Sequence, residues 1–256
     1  MFPLYDDNPV RRPSVVVWAL IAVCVLAFLW QVSLGEQEGQ YAIYALGMTP
    51  AVLFGDAELP RELQLVPAWV TPFTSMFLHG GWLHLGGNML YLWIFGNNVE
   101  DSMSRPRFLV FYLLCGVAAA LAQGLVNTSS EIPMVGASGA IAGVLGAYLL
   151  LHPRANVRVL VAIVFYIRMV NLPAGLVLGV WIVLQIVSGA ATPTDQGGVA
   201  FWAHVGGFVA GMALVPLFKR REVPLLDRPH SRPWEVGPAR RRSQLPNSGG
   251  FGGRWD

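Results

Sequence analysis

Polar side chains are rare inside the apolar segments of this sequence, and a few of them could perform nucleophilic chemistry together. Ser138 lies in the glycine- and alanine-rich stretch 135–143, near the start of an uncharged apolar segment. His204 lies near the start of another apolar segment, and His84 and Asn88 share a third. A neutral imidazole can accept the proton of a serine hydroxyl and so make it a nucleophile. Whether these groups can act together depends on the segments that carry them.

The composition indicates that these segments cross a membrane. The chain has 256 residues, of which 54% are hydrophobic and only 12% are charged, whereas a soluble domain usually has about 25% charged residues. The apolar residues form blocks of about the length that crosses a bilayer. The six blocks are 15–34, 82–97, 107–126, 137–152, 171–188 and 200–218. We therefore predict an all-α membrane protein with a bundle of six transmembrane helices.

Neither the charge nor the cysteines indicate a further ligand. The net charge of +2 is small and gives no indication of nucleic-acid binding. Cys24 and Cys115 each lie inside an apolar block, which argues against a disulfide framework or a thiolate metal site. We expect no cofactor, no metal and no nucleic-acid partner.

The basic residues mark one side of the membrane. They precede the first block as Arg11 and Arg12, join the second and third blocks, follow the fourth and close the sixth, whereas the opposite loops contain only Arg61. By the positive-inside rule the basic side is cytoplasmic, and both termini are then cytoplasmic. The first block is too long for a cleavable signal, and no transit peptide is evident. We expect a multi-pass protein of the bacterial plasma (inner) membrane.

Three regions follow from this topology. They are a cytoplasmic N-terminal segment (1–14), a six-helix membrane domain (15–219) with a long external loop (35–78), and a disordered basic cytoplasmic tail (220–256). The apolar run 157–170 is flanked by arginines and would invert the last span if it crossed the bilayer. We therefore predict that this run is a cytoplasmic interfacial or re-entrant segment.

The topology also brings the polar side chains to one level. The second, fourth and sixth blocks all begin on the outer side, so His84, Asn88, Ser138 and His204 are expected in the outer third of the bilayer. Ionisable or strongly polar side chains are costly at that depth, and each one needs a reason. Their common depth indicates one site that opens to the outer side.

Small residues predict which helices pack closely. Pairs of small residues four positions apart allow two helix backbones to approach. Such pairs occur in the fourth and sixth blocks, as Gly139/Gly143 and Gly207/Gly211. This packing would place the Ser138 hydroxyl within hydrogen-bond reach of a ring nitrogen of His204.

Attack on an amide carbonyl also needs donors for the developing oxyanion. Loss of one such donor typically costs about 3–4 kcal/mol. The backbone N–H of Ser138, near a helix N-terminus, is one candidate donor. The side chains of His84 and Asn88, four residues apart and so on one helical face, are the other two.

Three motifs together resemble the rhomboid intramembrane serine proteases. They are His79-x4-His84-x3-Asn88, Gly136-x-Ser138-Gly139 and Ala203-His204-x2-Gly207, in family order. The resemblance covers about 15–219 and implies a rhomboid-like six-helix bundle. One departure is the absence of the Trp-Arg pair that many rhomboids carry in the first external loop, since the comparable stretch 69–74 has no arginine.

The resemblance implies a role for each candidate residue. Ser138 would be the nucleophile and His204 the general base of a dyad without an acidic third member. Asn88 and His84, with the Ser138 amide, would stabilise the oxyanion. The implied partners are the lipid bilayer and membrane-protein substrates with a helix-destabilised transmembrane segment. The oligomeric state does not follow from the sequence.

Each of these residues also has a structural interpretation. Ser138 could be a packing serine, His204 could be satisfied by a backbone carbonyl, and Asn88 and His84 could form interhelical hydrogen bonds. We interpret His79 as structural. Gln123 and Gln185 are interpreted as interhelical hydrogen-bonding residues. The alternative functions are a catalytically inactive rhomboid-like scaffold for client binding or quality control, and a small-solute transporter.

Overall fold

The computed structural model describes residues 2–163, 166–193 and 197–227, and it is mostly helical. The helices are α1 (Val15–Ser33), α2 (Glu36–Leu46), α3 (Pro50–Phe54), α4 (Thr71–Thr74), α5 (Trp82–Asp101), α6 (Arg105–Val126), α7 (Ser138–Leu151), α8 (Ala174–Ala191) and α9 (Phe201–Phe218). The strands are β1 (Phe2–Asp6), β2 (Asn156–Ile163) and β3 (Tyr166–Pro173). Each of the six predicted apolar blocks coincides with a helix, with ends that differ by a few residues.

Among the described residues, four helices are long and apolar enough to cross a membrane, namely α1, α6, α8 and α9. Helix α7 is apolar but has only 14 residues, and α5 has 20 residues with several polar ones among them. Large apolar side chains on α1 and α8 point outward, including Leu26 and Val187. Such surfaces suit contact with lipid.

Helix α7 lies at the centre of the bundle. Eleven of its 14 residues are buried, and it contacts α5, α6, α8 and α9. A helix that is apolar on all sides is stable only where other elements surround it. Helix α7 is therefore a fixed support from which its first residue, Ser138, projects.

Glycines bring α7 and α9 into backbone contact. A Cβ atom on Gly207 would overlap the carbonyl oxygen of Gly139, and a Cβ on Gly211 would overlap the carbonyl oxygen of Gly143. Only glycine allows an approach this close. The close packing predicted from the small-residue pairs is present.

A three-stranded antiparallel sheet in the order β1-β2-β3 adds to the helices. The structure is therefore mostly helical rather than all-α, and the described residues of the segment predicted to be interfacial or re-entrant belong to the paired strands β2 and β3. Val157 and Val159 are buried while Arg158 between them is exposed. This period-two alternation of β-branched residues favours a strand.

The N-terminal segment is part of the fold rather than a free extension. Asp6 in β1 accepts hydrogen bonds from the Tyr148 hydroxyl at 2.7 Å and from Asn98 Nδ2 at 2.8 Å. The Glu100 carboxylate accepts the backbone N–H of Val17 at 2.8 Å, near the start of α1. A carboxylate at a helix N-terminus satisfies donors that the helix leaves free.

The described part of the predicted tail is also attached. The backbone N–H of Arg220 donates to the Ser102 carbonyl at 2.9 Å, and the N–H of Leu226 donates to the Leu150 carbonyl at 2.8 Å. Residues 228–256 of the predicted tail lie outside the described residues. The N-terminal strand and residues 220–227 thus meet the same end of the bundle, where α5 and α7 end.

The long loop 35–78 contains helices α2, α3 and α4. Met48 and Met134 exchange backbone hydrogen bonds of 3.0 and 2.8 Å, which join this loop to the segment before α7. The loop therefore fixes the position of the segment that leads into α7 and Ser138.

Candidate active site

Helices α5, α6, α7, α8 and α9 all contribute residues to the wall of one cavity of about 640 Å³. Ser138 is the first residue of α7, and His204 lies in the first turn of α9. His84 and Asn88 are one turn apart on α5. All four predicted site residues line this cavity, together with Trp181 of α8.

Ser138 and His204 are in hydrogen-bond contact. The Oγ of Ser138 lies 2.9 Å from Nε2 of His204. His204 is only 9% exposed, and Ser138 is half-buried. Because Gly207 packs against Gly139, the helices that carry the two residues are close enough for this contact.

The contact with Gln185 determines the tautomer of the His204 ring. The Nδ1 of His204 lies 2.7 Å from Oε1 of Gln185. An amide oxygen can only accept a hydrogen bond, so Nδ1 carries the proton and Nε2 keeps a lone pair. The lone pair on Nε2 can then accept the hydroxyl proton of Ser138. The sequence predicts an interhelical hydrogen bond for Gln185 but does not indicate that its partner is this ring.

Trp181 covers the face of the same ring. The ring centroids of Trp181 and His204 are 5.7 Å apart with a tilt of 37°. Trp181 also packs against Phe208, at 6.1 Å and 34°. A sequence signal for this contact existed, since Trp181 and Gln185 are four residues apart and lie on one face of α8.

His84 is held as a donor toward the cavity. Its Nδ1 accepts the backbone N–H of Gly80 at 3.3 Å, which leaves the proton on Nε2. Gly136 has a φ of +126°, and a Cβ atom there would lie 2.7 Å from both Cε1 and Nε2 of His84. Glycine is required at this position both by the backbone conformation and by the closeness of the ring.

Two more donors face the same region. Asn88 is 8% exposed, and its Nδ2 is buried with no hydrogen-bond partner in the part of the chain that the structure describes. An unpaired buried donor is costly, and a ligand oxygen or water could satisfy it. The backbone N–H of Ser138 has no partner within its own helix because α7 begins there.

His79 and Gln123 make hydrogen bonds that connect the helices and loops around the site. His79 is 1% exposed, and its backbone N–H donates to Gln31 Oε1 of α1 at 3.0 Å. The Oε1 of Gln123 accepts the backbone N–H of Ala203 at 3.2 Å, which is the interhelical bond that the sequence predicted for this residue. Within residues 2–163, 166–193 and 197–227, no group of three or more His, Cys, Asp or Glu side chains could hold a metal ion.

The fold and the cavity define a helical membrane protein with a serine–histidine pair beside buried hydrogen-bond donors. The family profile described as the Rhomboid domain matches residues 67–221, which is more than half of the chain and includes all four site residues. The chain therefore belongs to the rhomboid family, and it is an integral membrane protein.

Several curated rhomboid proteins are similar to this chain in sequence. Rhomboid-like protein 11, chloroplastic, of Arabidopsis thaliana is 27% identical over 164 residues, which cover 60% of this chain and 54% of that protein. Rhomboid protease GluP of Bacillus subtilis (strain 168) is 32% identical over 163 residues, which cover 62% of this chain and 28% of that protein. Rhomboid protein 1, mitochondrial, of Saccharomyces cerevisiae is 30% identical over 134 residues, which cover 46% of this chain and 39% of that protein. The matched regions thus span about half of these relatives or less.

Proposed function

We propose that this protein is an intramembrane serine endopeptidase in which Ser138 is the nucleophile and His204 the general base. The observation that carries the proposal is the 2.9 Å contact between Ser138 Oγ and His204 Nε2. The similarity to a protein named as a rhomboid protease supports the reaction class. No metal or cofactor is needed for this chemistry.

The reaction would proceed by acylation and hydrolysis. Ser138 Oγ adds to the scissile carbonyl carbon while its proton passes to His204 Nε2, and the carbonyl oxygen becomes an oxyanion. Collapse of this intermediate breaks the C–N bond, and His204 gives the proton to the leaving amine. A water molecule, deprotonated by His204, then adds to the acyl group and releases the carboxylic acid and Ser138.

The oxyanion would be stabilised by three donors fixed before the reaction. They are His84 Nε2, Asn88 Nδ2 and the backbone N–H of Ser138. Donors that need no reorganisation stabilise developing charge far better than water does. The unsatisfied Nδ2 of Asn88 supports its assignment to this role.

We infer the substrate class from the position of Ser138 within the proposed membrane domain. In a transmembrane helix the carbonyl groups are hydrogen-bonded and covered by side chains. A segment must unwind to present a carbonyl to Ser138, so we propose membrane proteins with a helix-destabilised transmembrane segment as substrates. Leu83 and Tyr91 of α5 and Trp181 of α8 line the cavity that would receive the segment.

For the membrane topology we propose six spans formed by α1, α5, α6, α7, α8 and α9, with both termini cytoplasmic. The N-terminal strand and residues 220–227 meet the same end of the bundle, which supports placing the termini on one side. Ser138 begins α7 at the opposite end, so the site would open to the outer side. We propose residues 15–219 as the membrane domain and the bacterial plasma membrane as the location. Relatives named as chloroplastic and mitochondrial show that family membership does not assign the compartment.

The decisive test compares the wild-type protein with Ser138→Ala in proteoliposomes that contain a single-span reporter substrate. We expect cleavage by the wild type only, while both proteins insert and melt alike. Cleavage by Ser138→Ala at the wild-type rate would refute the proposal. Labelling of Ser138 by a fluorophosphonate separates an enzyme from a client-binding scaffold, because a scaffold has no activated hydroxyl.

A further inference from the structure

One face of α8 is directed at the catalytic histidine. Trp181, Gln185 and Gly189 follow one another at intervals of four residues, which places them on one side of the helix. Gly189 is buried, and a Cβ there would lie 3.2 Å from Cβ of Phe201 at the start of α9. Gln185 contacts His204 one turn deeper, and Trp181 contacts His204 and Phe208 beyond that.

This face packs against α9, whereas most of the remaining surface of α8 is exposed. Only 22% of the apolar window of α8 is buried, the smallest share among the four candidate spans. Val183 and Val187 point outward and are 56% and 59% exposed. The contacts with α9 are therefore a large part of what fixes α8 against the bundle.

The two polar contacts of His204 have different chemistry. Ser138 needs a ring nitrogen with a lone pair, and Gln185 supplies the acceptor that keeps the proton on the other nitrogen. No acidic residue occupies that position. The neutral amide oxygen can orient the ring and stabilise the charge that appears when Nε2 takes the serine proton, through its dipole rather than a full charge.

The stacking contact restricts the remaining freedom of the ring. The hydrogen bonds at Nδ1 and Nε2 act in the plane of the ring and constrain its tilt out of that plane only weakly. Trp181 lies against the ring face, and Phe208 supports Trp181 from the same helix that carries His204. The ring is thus held at its edge and at its face by one helix, α8.

We propose that Gln185 and Trp181 are positioning residues for His204, so that catalysis requires the docking of α8 on α9. This inference rests on the proposed function, because it assigns to α8 the orientation of the general base. Helix α8 also contributes Trp181 to the wall of the cavity.

The test uses the full-length protein in proteoliposomes with a single-span reporter substrate. Gln185→Leu has a similar size but no acceptor, and we expect its kcat to fall about 10- to 100-fold with KM unchanged within about twofold, since a general base contributes roughly 10²- to 10⁴-fold. Gln185→Glu keeps an oxygen acceptor on a side chain of equal length, and we expect it to recover most of kcat. Val187→Ala, on the exposed side of α8, is the matched control and should retain the wild-type kcat.

Trp181 gives a second, independent variant. Trp181→Phe keeps an aromatic face and should retain most of kcat, whereas Trp181→Ala should lose about as much as Gln185→Leu. The rate of fluorophosphonate labelling of Ser138 should fall in parallel in both defective variants, because it reports the activated hydroxyl without any transmembrane substrate. If Gln185→Leu does not insert, Gln185→Asn serves instead, since it keeps the amide but is too short by one methylene to reach the ring.

The outcomes separate this inference from the proposed function. Wild-type kcat and labelling in Gln185→Leu, with Ser138→Ala inactive, would overturn the positioning role alone. A loss that Gln185→Glu does not restore, matched by an equal loss in Val187→Ala, would assign Gln185 to the stability of α8 and equally overturn it. Cleavage by Ser138→Ala would instead refute the proposed function.

Discussion

The Oγ of Ser138 and the Nε2 of His204 lie 2.9 Å apart, although the residues are separated by 66 positions in the sequence. The contact depends on the glycines behind it, since Gly139 follows Ser138 and packs against Gly207, one turn beyond His204. A Cβ atom on Gly207 would overlap the carbonyl oxygen of Gly139 and push the two helices apart, and a Cβ on Gly139 would lie 2.5 Å from Cβ of Ala119 in α6. The Ser138–His204 contact therefore depends on the close packing of the glycines beside it.

Ser138 and His204 should act as a unit. We expect Ser138→Ala and His204→Ala each to lower kcat by at least about 10³-fold, and the double variant to lose no more than either single variant, because removing one member already abolishes the function of the other. Single-turnover cleavage of a reporter substrate measures this. Losses that multiply in the double variant would show that the two residues act independently.

Asn88 should contribute to the transition state rather than to substrate binding. Its buried Nδ2 has no partner among the described residues and is free to donate to an oxyanion. We expect Asn88→Ala to lower kcat by about 10²- to 10³-fold with little change in KM. The control is Asn97→Ala, at the far end of the same helix. A rise in KM at constant kcat would place Asn88 in substrate binding instead.

Gly136 should tolerate no side chain. Its φ is +126°, and a Cβ would lie 2.7 Å from the His84 ring. We expect Gly136→Ala to reduce kcat at least about 10-fold and to destabilise the protein by about 1–3 kcal/mol through backbone strain. Gly179→Ala is the control, because a Cβ there has nothing within 4 Å. Normal activity of Gly136→Ala would show that catalysis does not require the His84 ring in its present position.

Asp6 should make stability depend on pH. Burial, followed by the charge of Asp7, raises the pKa of Asp6 to about 7 from 3.8, against a lowering contribution from the Tyr148 hydrogen bond. The folded protein then holds a proton that the unfolded chain has released. The contribution of Asp6 to stability is therefore fully present below about pH 4 and is lost as the pH rises through about 7, by at most about 4 kcal/mol.

The variant Asp6→Asn removes this proton exchange and keeps a carbonyl acceptor. We expect its melting temperature in detergent to change less between pH 4 and 7 than that of the wild type. Glu58→Gln, which alters an exposed carboxylate of the long loop, should leave the wild-type profile intact. Parallel profiles for Asp6→Asn and the wild type would contradict the assignment.

The sequence alone predicted the six helical segments and the residues that meet at the cavity. Hydropathy is a local property, so blocks of apolar residues identify helices without knowledge of their neighbours. The motif around Ser138 and the histidine–asparagine pair on α5 are likewise local, and the small-residue pairs predicted the packing of α7 against α9. The strands in segment 157–170 were harder to predict, because the overall apolar character of the segment obscured its alternation of buried valines and exposed arginine.

Only the tertiary structure decided how distant segments meet, both in the sheet and in the site. The pairing of β1 with β2 joins residues about 150 positions apart, and such pairing leaves no trace in either segment alone. The contact between Gln185 and His204 depends on the rotation of α8 about its own axis, which hydropathy does not determine on a helix that is apolar nearly all round. The sequence thus determined which residues could react, while the packing of α8 against α9 decided which nitrogen of His204 faces Ser138.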